Sequence, residues 1–253
     1  MELWSPEHMR TLIPAVAIMV VIALILGKFL RGKDIKLRMI PLQIVACLLV
    51  ALEIGKQVLS FEDGYDLYHL PFHFCSLFIF MMPIAAFYKG KHENTIRGIT
   101  AAISTATALL TLIYPCLIYS ANDVTNFFTN YFCFHTVAFH NLVIFGCILF
   151  LALELHTPDT KKDQKAVLLF IIGFCVVSAT MAQLLETNFN NFYSCNIPPL
   201  EDLRITMQSI LGYGVTQGLY IVIVTILDIL FVTGSYWFYR LVRSLVTKKK
   251  VTA

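Results

Sequence analysis

Long apolar runs alternate with short polar breaks along the whole chain, and the runs share one size. About 20 apolar residues of helix cross a bilayer core. Seven stretches reach that length, near 11–30, 39–60, 70–88, 98–119, 131–154, 165–186 and 212–240. The pattern predicts an all-α polytopic membrane protein, with one seven-helix transmembrane domain over residues 1–253. The seventh run is long enough to tilt, or to begin with an interfacial turn around Gly212 and Gly214. No internal repeat, low-complexity tract or soluble domain interrupts the series.

Lys and Arg mark alternate breaks. Lys28, Arg31, Lys33, Lys36 and Arg38 follow the first run, then Lys89, Lys91 and Arg97, then Lys161, Lys162 and Lys165, and finally Arg240, Arg243, Lys248, Lys249 and Lys250. The breaks between them are poor in basic residues, and the first carries Glu62, Asp63 and Asp66 instead. Basic residues gather on the cytoplasmic side, so the N-terminus is expected outside and the C-terminus inside. The first basic cluster follows the first apolar run, which argues against a signal peptide at 11–27.

Composition narrows the classes further. The chain is 58% hydrophobic and 14% charged, against about a quarter charged in a typical soluble domain. A soluble enzyme, a disordered tail and a nucleic-acid-binding module are all excluded. Seven cysteines leave at least one unpaired, so disulfides do not organise the fold. Cys133 and Cys195, both expected near the outer surface, are either free or bridged to each other.

Ionisable groups within a span are costly, and each is by default a candidate for function. In the second span, Glu53 and Lys56 stand i,i+3 and can pair within the helix, alongside Gln57 and Ser60. The fourth carries a stripe of Thr100, Ser104, Thr107, Thr111 and Tyr114, a pattern that lets membrane helices approach closely. Pro115 should kink or end that helix. The third opens His69-Leu70-Pro71-Phe72-His73-Phe74-Cys75-Ser76, and proline favours the first helical position. A helix from Pro71 would place Cys75 about one turn in, with His73 on nearly the opposite face. The fifth holds His135 and His140, whose spacing differs from the i,i+4 pair of a helical zinc site, so no metal is expected. Gln183 and Glu186 end the sixth span, while Gln217 and Asp228 lie in the seventh.

Depth along the spans joins these residues. At about 1.5 Å of rise per residue, Glu53, Cys75 and His140 fall near the midplane on its outer side. His73, His135, Gln183, Glu186 and Gln217 sit higher in the same half, and the inner half is nearly bare of such groups. An outward-opening polar cavity explains that asymmetry, with the loop at 187–211 able to cover it. A Cys and a His at similar depth on adjacent spans supply a nucleophile and a base for acyl transfer. Glu53 is a candidate to orient the imidazole.

The run from Leu70 to Ser76, followed by apolar residues and Pro83, resembles the Leu-Pro-x-His-x-Cys signature of the YwaF-like integral membrane proteins. The stretch His135-Thr-Val-Ala-Phe-His140 is similar to that family's second signature, and Pro115 and Thr187-Asn188-Phe189 are similar too. Eukaryotic relatives of that family include acyltransferases of ether phospholipids, which use a Cys and a His. The resemblance therefore implies catalysis by Cys75 and His140 on a membrane lipid, without a cofactor, in a bacterial cytoplasmic membrane. More distant relatives hydrolyse fatty-acid esters with a Thr and a His. A second reading keeps the cavity but makes the protein a transporter or small-molecule-binding protein. There Glu53, His73, His135, Glu186 and Asp228 would line the cavity. The seventh span has no lysine for a Schiff base, which sets aside a retinal receptor.

Overall fold

Helix ends follow the capping chemistry of the sequence. In the computed structural model, which describes residues 3–62 and 64–248, α1 runs Pro6–Leu30 behind an N-cap at Ser5. Asp63, Lys249 and Lys250 lie outside the described residues, as does the side chain of Lys248. The next helices are α2 (Ile35–Glu62), α3 (Phe78–Phe87), α4 (Glu93–Ile113), α5 (Pro115–Ile118) and α6 (Ala121–Thr125). Then come α7 (Tyr131–Ala152), α8 (Thr160–Leu184), α9 (Pro198–Leu211) and α10 (Tyr213–Lys248). Asn130 caps α7 by accepting from the Phe132 and Cys133 amides, and Asp159 caps α8 by accepting from that of Lys162. Gly212, at φ +78°, separates α9 from α10 in a conformation that costs a residue with a Cβ more than glycine. No strand occurs among the described residues. The all-α expectation holds.

Six helices, α1, α2, α4, α7, α8 and α10, are long and apolar enough to cross a membrane. The third expected span departs from the sequence reading. Its α-helix begins at Phe78, behind a 3-10 turn over Cys75–Leu77, and 10 residues of α3 span only about 15 Å. Cys75 thus stands at the helix start and not one turn inside it. Proline at position 71 pushes Leu70 into an extended conformation (ψ 147°). The segment that follows is held by tertiary bonds: Ser178 Oγ donates to the Phe72 carbonyl at 2.8 Å, and His73 Nε2 bonds the Tyr68 carbonyl at 3.0 Å. Irregular backbone at membrane depth requires such protein partners.

The hydroxyl stripe of α4 lies where helices meet. Thr100, Ser104, Thr107 and Thr111 are all buried, and α4 packs against α3, α7, α8 and α10. Three of these hydroxyls are satisfied within α4, Thr100 by Ile96, Ser104 by Ala101 and Thr111 by Thr107. Small residues with internally bonded hydroxyls allow close approach; the fourth hydroxyl, that of Thr107, is buried without a hydrogen-bond partner among the described residues. The helix ends at Ile113, ahead of Pro115, as its sequence predicts.

The basic end contains a polar core that the depth reading left almost empty. Asp163 Oδ2 receives the Tyr236 hydroxyl at 2.9 Å and the Asp159 amide at 2.8 Å, and lies 3.0 Å from His156 Nε2. Those side chains are fully buried and tie the loop after α7 to α8 and α10. Gly98 of α4 closes the cluster: a Cβ there would meet His156 Nε2 at 2.9 Å and Asp163 Oδ1 at 3.1 Å. Gly98→Ala is expected to cost about 1–3 kcal/mol, the usual range for overpacking. Thermal unfolding in detergent checks this, as a lower midpoint than that of the parent protein.

Candidate functional site

Three groups of polar side chains occupy the half of the bundle away from the basic end. The first is built on α2. Glu53 Oε1 lies 2.8 Å from Lys56 Nζ and accepts from Gln57 Nε2 at 2.7 Å, while Oε2 stands 3.3 Å from His135 Nε2 on α7. Gln57 also donates to the His69 carbonyl and accepts from Tyr65, so the network reaches the loop ahead of Cys75. Gly55 admits Tyr131, whose hydroxyl donates to the Leu52 carbonyl and locks α7 to α2. The expected Glu53–Lys56 pair is present. The imidazole beside Glu53, however, is that of His135 and not of His140.

His140 has different surroundings. Its Nδ1 donates to the Thr136 carbonyl at 2.7 Å, so in the neutral ring the lone pair sits on Nε2. Nε2 makes no hydrogen bond among the described residues, and the ring lies 6.1 Å from that of Tyr119. Beyond Tyr119 stands a fully buried His8, whose Nε2 bonds the Tyr119 carbonyl at 2.9 Å and whose Nδ1 bonds Ser5 Oγ at 2.7 Å. Neither His8 nor Tyr119 stands out in the sequence, because His8 precedes the first apolar run and Tyr119 is the last residue of the fourth.

Cys75 opens the 3-10 turn that leads into α3. It is half-buried against the main core, within electrostatic reach of Glu53, Lys56 and Tyr68. No hydrogen bond joins it to His140. The helix that follows Cys75, α3, meets α7 at Met82, which packs into the space left by Gly146. The amides that follow Cys75 in this turn are already bonded, that of Ser76 to the His73 carbonyl at 3.0 Å and that of Leu77 to the Phe74 carbonyl at 3.3 Å. His73, two residues away, bonds Tyr68 and packs its ring 5.3 Å from Phe189.

The third group fixes the segment after α8. Gln183 and Gln217 both donate to the Phe192 carbonyl at 2.9 Å, and Phe189 and Phe192 are fully buried. Asp228, mid-way along α10, accepts from Asn190 Nδ2 at 2.7 Å and from the Cys175 thiol at 3.7 Å. Asn190 reaches it from a left-handed backbone (φ 50°), which asparagine tolerates better than most residues. Asp228 thus finds its partners on a loop and a neighbouring helix, where sequence spacing gives no sign of them. Glu186 is exposed and makes no hydrogen bond or ion pair among the described residues. Cys133 and Cys195 are both free thiols.

These groups are not the walls of one polar chamber. A cavity of about 770 Å³ lies between α9, α10 and the 190–197 loop, and its lining is chiefly apolar. Of the residues expected to line a cavity, Asp228 faces this one, together with Asn190, Arg204 and Tyr220. Leu200, Leu203 and Met207 of α9 roof it, Leu110 and Leu117 wall it, and Phe74, the neighbour of Cys75, reaches it. Arg204 holds the roof down. Its guanidinium forks onto Glu201 at 2.8 and 2.6 Å and donates to Gln217 Oε1 at 2.9 Å, and Glu201 also accepts from the Cys195 amide. Arg204 is the one basic residue of the 187–211 break, and its place in the sequence gives no sign of the bond to Gln217 on α10.

The Glu201 clip has a pH signature. Hydrogen bonds from Arg204 hold its carboxyl below the ordinary 4.5. A depressed carboxylate stabilises the folded state fully above its unfolded pKa and loses that contribution as pH falls through the folded one. Amide protection in α9, corrected for the intrinsic pH dependence of exchange, is therefore expected to fall as pH drops below 4.5, and to show no such step in Glu201→Gln. Equal pH dependence in both proteins would refute the clip.

No curated protein and no solved structure gives a significant match to this chain. A family model does match, over residues 3–241. It describes a eukaryotic transmembrane family and gives no support to the YwaF-like name or to a bacterial membrane. Together with six helices of membrane-spanning length, a match over nearly the whole chain settles the placing: this is an integral membrane protein belonging to the TMEM164 family.

Proposed function

We propose that this protein transfers acyl groups between membrane lipids, with Cys75 as the nucleophile and His140 as the general base. The observation that carries the reading is the apolar cavity under α9, which reaches Phe74 beside Cys75. A site of this kind takes an alkyl chain from the lipid phase and brings its ester toward the thiol. Ligand sites are commonly apolar cavities with a few placed polar groups, and Arg204, Asn190 and Tyr220 are those groups here. The likeness of the Leu70–Ser76 and His135–His140 runs to Cys/His lipid acyltransferases supports the same pair.

The reaction has two halves. His140 Nε2 takes the Cys75 proton and the thiolate sulfur attacks the ester carbonyl. A C–S bond forms and the C–O bond breaks, while the departing lysolipid alkoxide recovers the proton from the imidazolium. An acceptor hydroxyl then gives its proton to His140 and attacks the thioester, and Cys75 is regenerated. The amide of Cys75 itself is the donor assigned to the oxyanion, because those of Ser76 and Leu77 are bonded to the His73 and Phe74 carbonyls. Catalytic hydrogen bonds often form only when substrate is bound, so this mechanism requires Cys75 and His140 to close on each other in the complex.

Vesicles holding the purified protein, a diacyl phospholipid and an ether lysophospholipid test the reading by mass spectrometry. Movement of a labelled acyl chain from donor to acceptor is the expected result. Release of free fatty acid alone would make the protein a hydrolase using the same thioester. Absence of both would overturn the proposal.

A further inference from the structure

At the opposite end of the bundle a second cavity, also of about 770 Å³, lies between the end of α1, the start of α2 and the end of α7. Its character is different. Lys28, Arg31, Lys33 and Arg38 line it, and Glu154 is its one acidic residue. Gly27 brings α1 against the last turn of α7, since a Cβ there would stand only 3.2 Å from the Ala152 carbonyl oxygen. Two of the cations build the site. Arg31 Nε donates to the Ala152 carbonyl at 3.0 Å and lies 3.3 Å from Glu154 Oε1. Arg38 donates to the carbonyls of Leu153 and Glu154 at 3.0 and 3.2 Å. Both therefore cap the carbonyl end of α7, where cations are favoured, and are held in place before any ligand arrives. The Nε of Arg38 is buried without a hydrogen-bond partner. Lys28 and Lys33 form no ion pair among the described residues.

The wall continues into lipid. Ala23 and Leu24 line the cavity on the membrane side, and Leu24, Ile25 and Phe29 of α1 are exposed. Positive groups at the level of the headgroups, above an apolar helix face, form the chemistry of an anionic lipid site. Basic pockets between helices on the cytoplasmic side are known to hold phosphate headgroups.

We propose that this cavity binds a multiply charged phosphate headgroup, supplied by an anionic phospholipid of the leaflet at the basic end. Four cations set against one carboxylate favour a headgroup with more than one negative charge over a singly charged one. Arg31 and Arg38 form a fixed floor, and Lys28 and Lys33 close on the phosphate from the rim. The site is separate from Cys75 and does not depend on the acyl-transfer reading.

Native mass spectrometry of the whole protein in phosphatidylcholine nanodiscs tests this. Phosphatidic acid, phosphatidylinositol 4-phosphate or phosphatidylserine is added in turn. The paired change Lys28→Glu with Lys33→Glu is expected to weaken binding of the phosphomonoester lipids by about thirtyfold, as two lost lysine contributions imply. The paired change Lys161→Glu with Lys162→Glu, at exposed positions outside the cavity, should leave it unchanged. Equal losses in both variants, or equal retention of phosphatidylserine and the phosphomonoester lipids, would overturn the site. Soluble inositol 1,4-bisphosphate and glycerol 3-phosphate form the second arm. Displacement of the lipid only at large excess supports a membrane source. Displacement at matched concentration would overturn the lipid as the source and assign the site to a free phosphate ester.

Discussion

Cys75→Ala is expected to lower acyl transfer by more than about 10³-fold, the order seen when a covalent nucleophile is removed. In the proposed reaction its sulfur is the atom that bonds to the acyl carbon, and the hydroxyl of Ser76, next to it in the same turn, is a far weaker nucleophile than a thiolate. The fold should tolerate the change. Cys75 is half-buried and its sulfur bridges no two elements, so truncation costs about 1 kcal/mol of packing. Retained lipid binding with lost turnover is therefore the expected signature. His140→Ala should cost about 10²–10⁴-fold, the range for a general base. The contrast with His135 is informative, because Glu53 stands beside His135 and leaves His140 to the Thr136 carbonyl. His135→Ala is expected to affect stability more than rate. A larger rate loss in His135→Ala than in His140→Ala would transfer the base role to the Glu53-paired imidazole.

Asp163→Ala is expected to produce the largest loss of stability, about 3–5 kcal/mol, because three donors lose one buried acceptor at about 1–3 kcal/mol each. The change strips His156 Nε2, the Tyr236 hydroxyl and the Asp159 amide of the same acceptor oxygen, where the His156, Asp163 and Tyr236 side chains are fully buried. Tyr236→Phe deletes one hydrogen bond but leaves the His156–Asp163 pair, so about 1 kcal/mol is expected. Thermal unfolding in detergent reads both. An Asp163→Ala midpoint equal to that of the parent protein would contradict the structural role given to this cluster.

Periodicity in hydrophobicity located the long helices, because twenty-odd apolar residues have few other places to go. The Glu53–Lys56 pair and the hydroxyl stripe of α4 were legible for a related reason, since both depend on spacing within a single helix. Contacts between distant segments were not. Asn190 beneath Asp228, Tyr236 on Asp163 and His8 against Tyr119 join residues 38, 73 and 111 positions apart. Nothing in the local pattern announces them. The third span shows a different failure. Pro71 fits the first turn of a helix as well as an extended turn, and the choice was made by Ser178 and Tyr68, which bond the Phe72–His73 segment from outside.

Asymmetry between the two halves of the bundle was partly an effect of where the span limits were drawn. His156 and Asp163 lie at or beyond the limits of the fifth and sixth apolar runs, yet both are fully buried. Polar groups in the half away from the basic end are real, but they are largely consumed in fastening α2 to α7 and the 187–197 segment to α8 and α10. What remains open to a ligand is apolar, and it reaches the neighbour of Cys75.

The most direct measurement is the intact mass of protein reconstituted with phospholipid, quenched in acid and analysed with and without neutral hydroxylamine. An acyl mass on Cys75, removed by hydroxylamine and absent in Cys75→Ser, is the predicted result. An unmodified mass across the time course, with lipid turnover in Cys75→Ser equal to that of the parent protein, would contradict it.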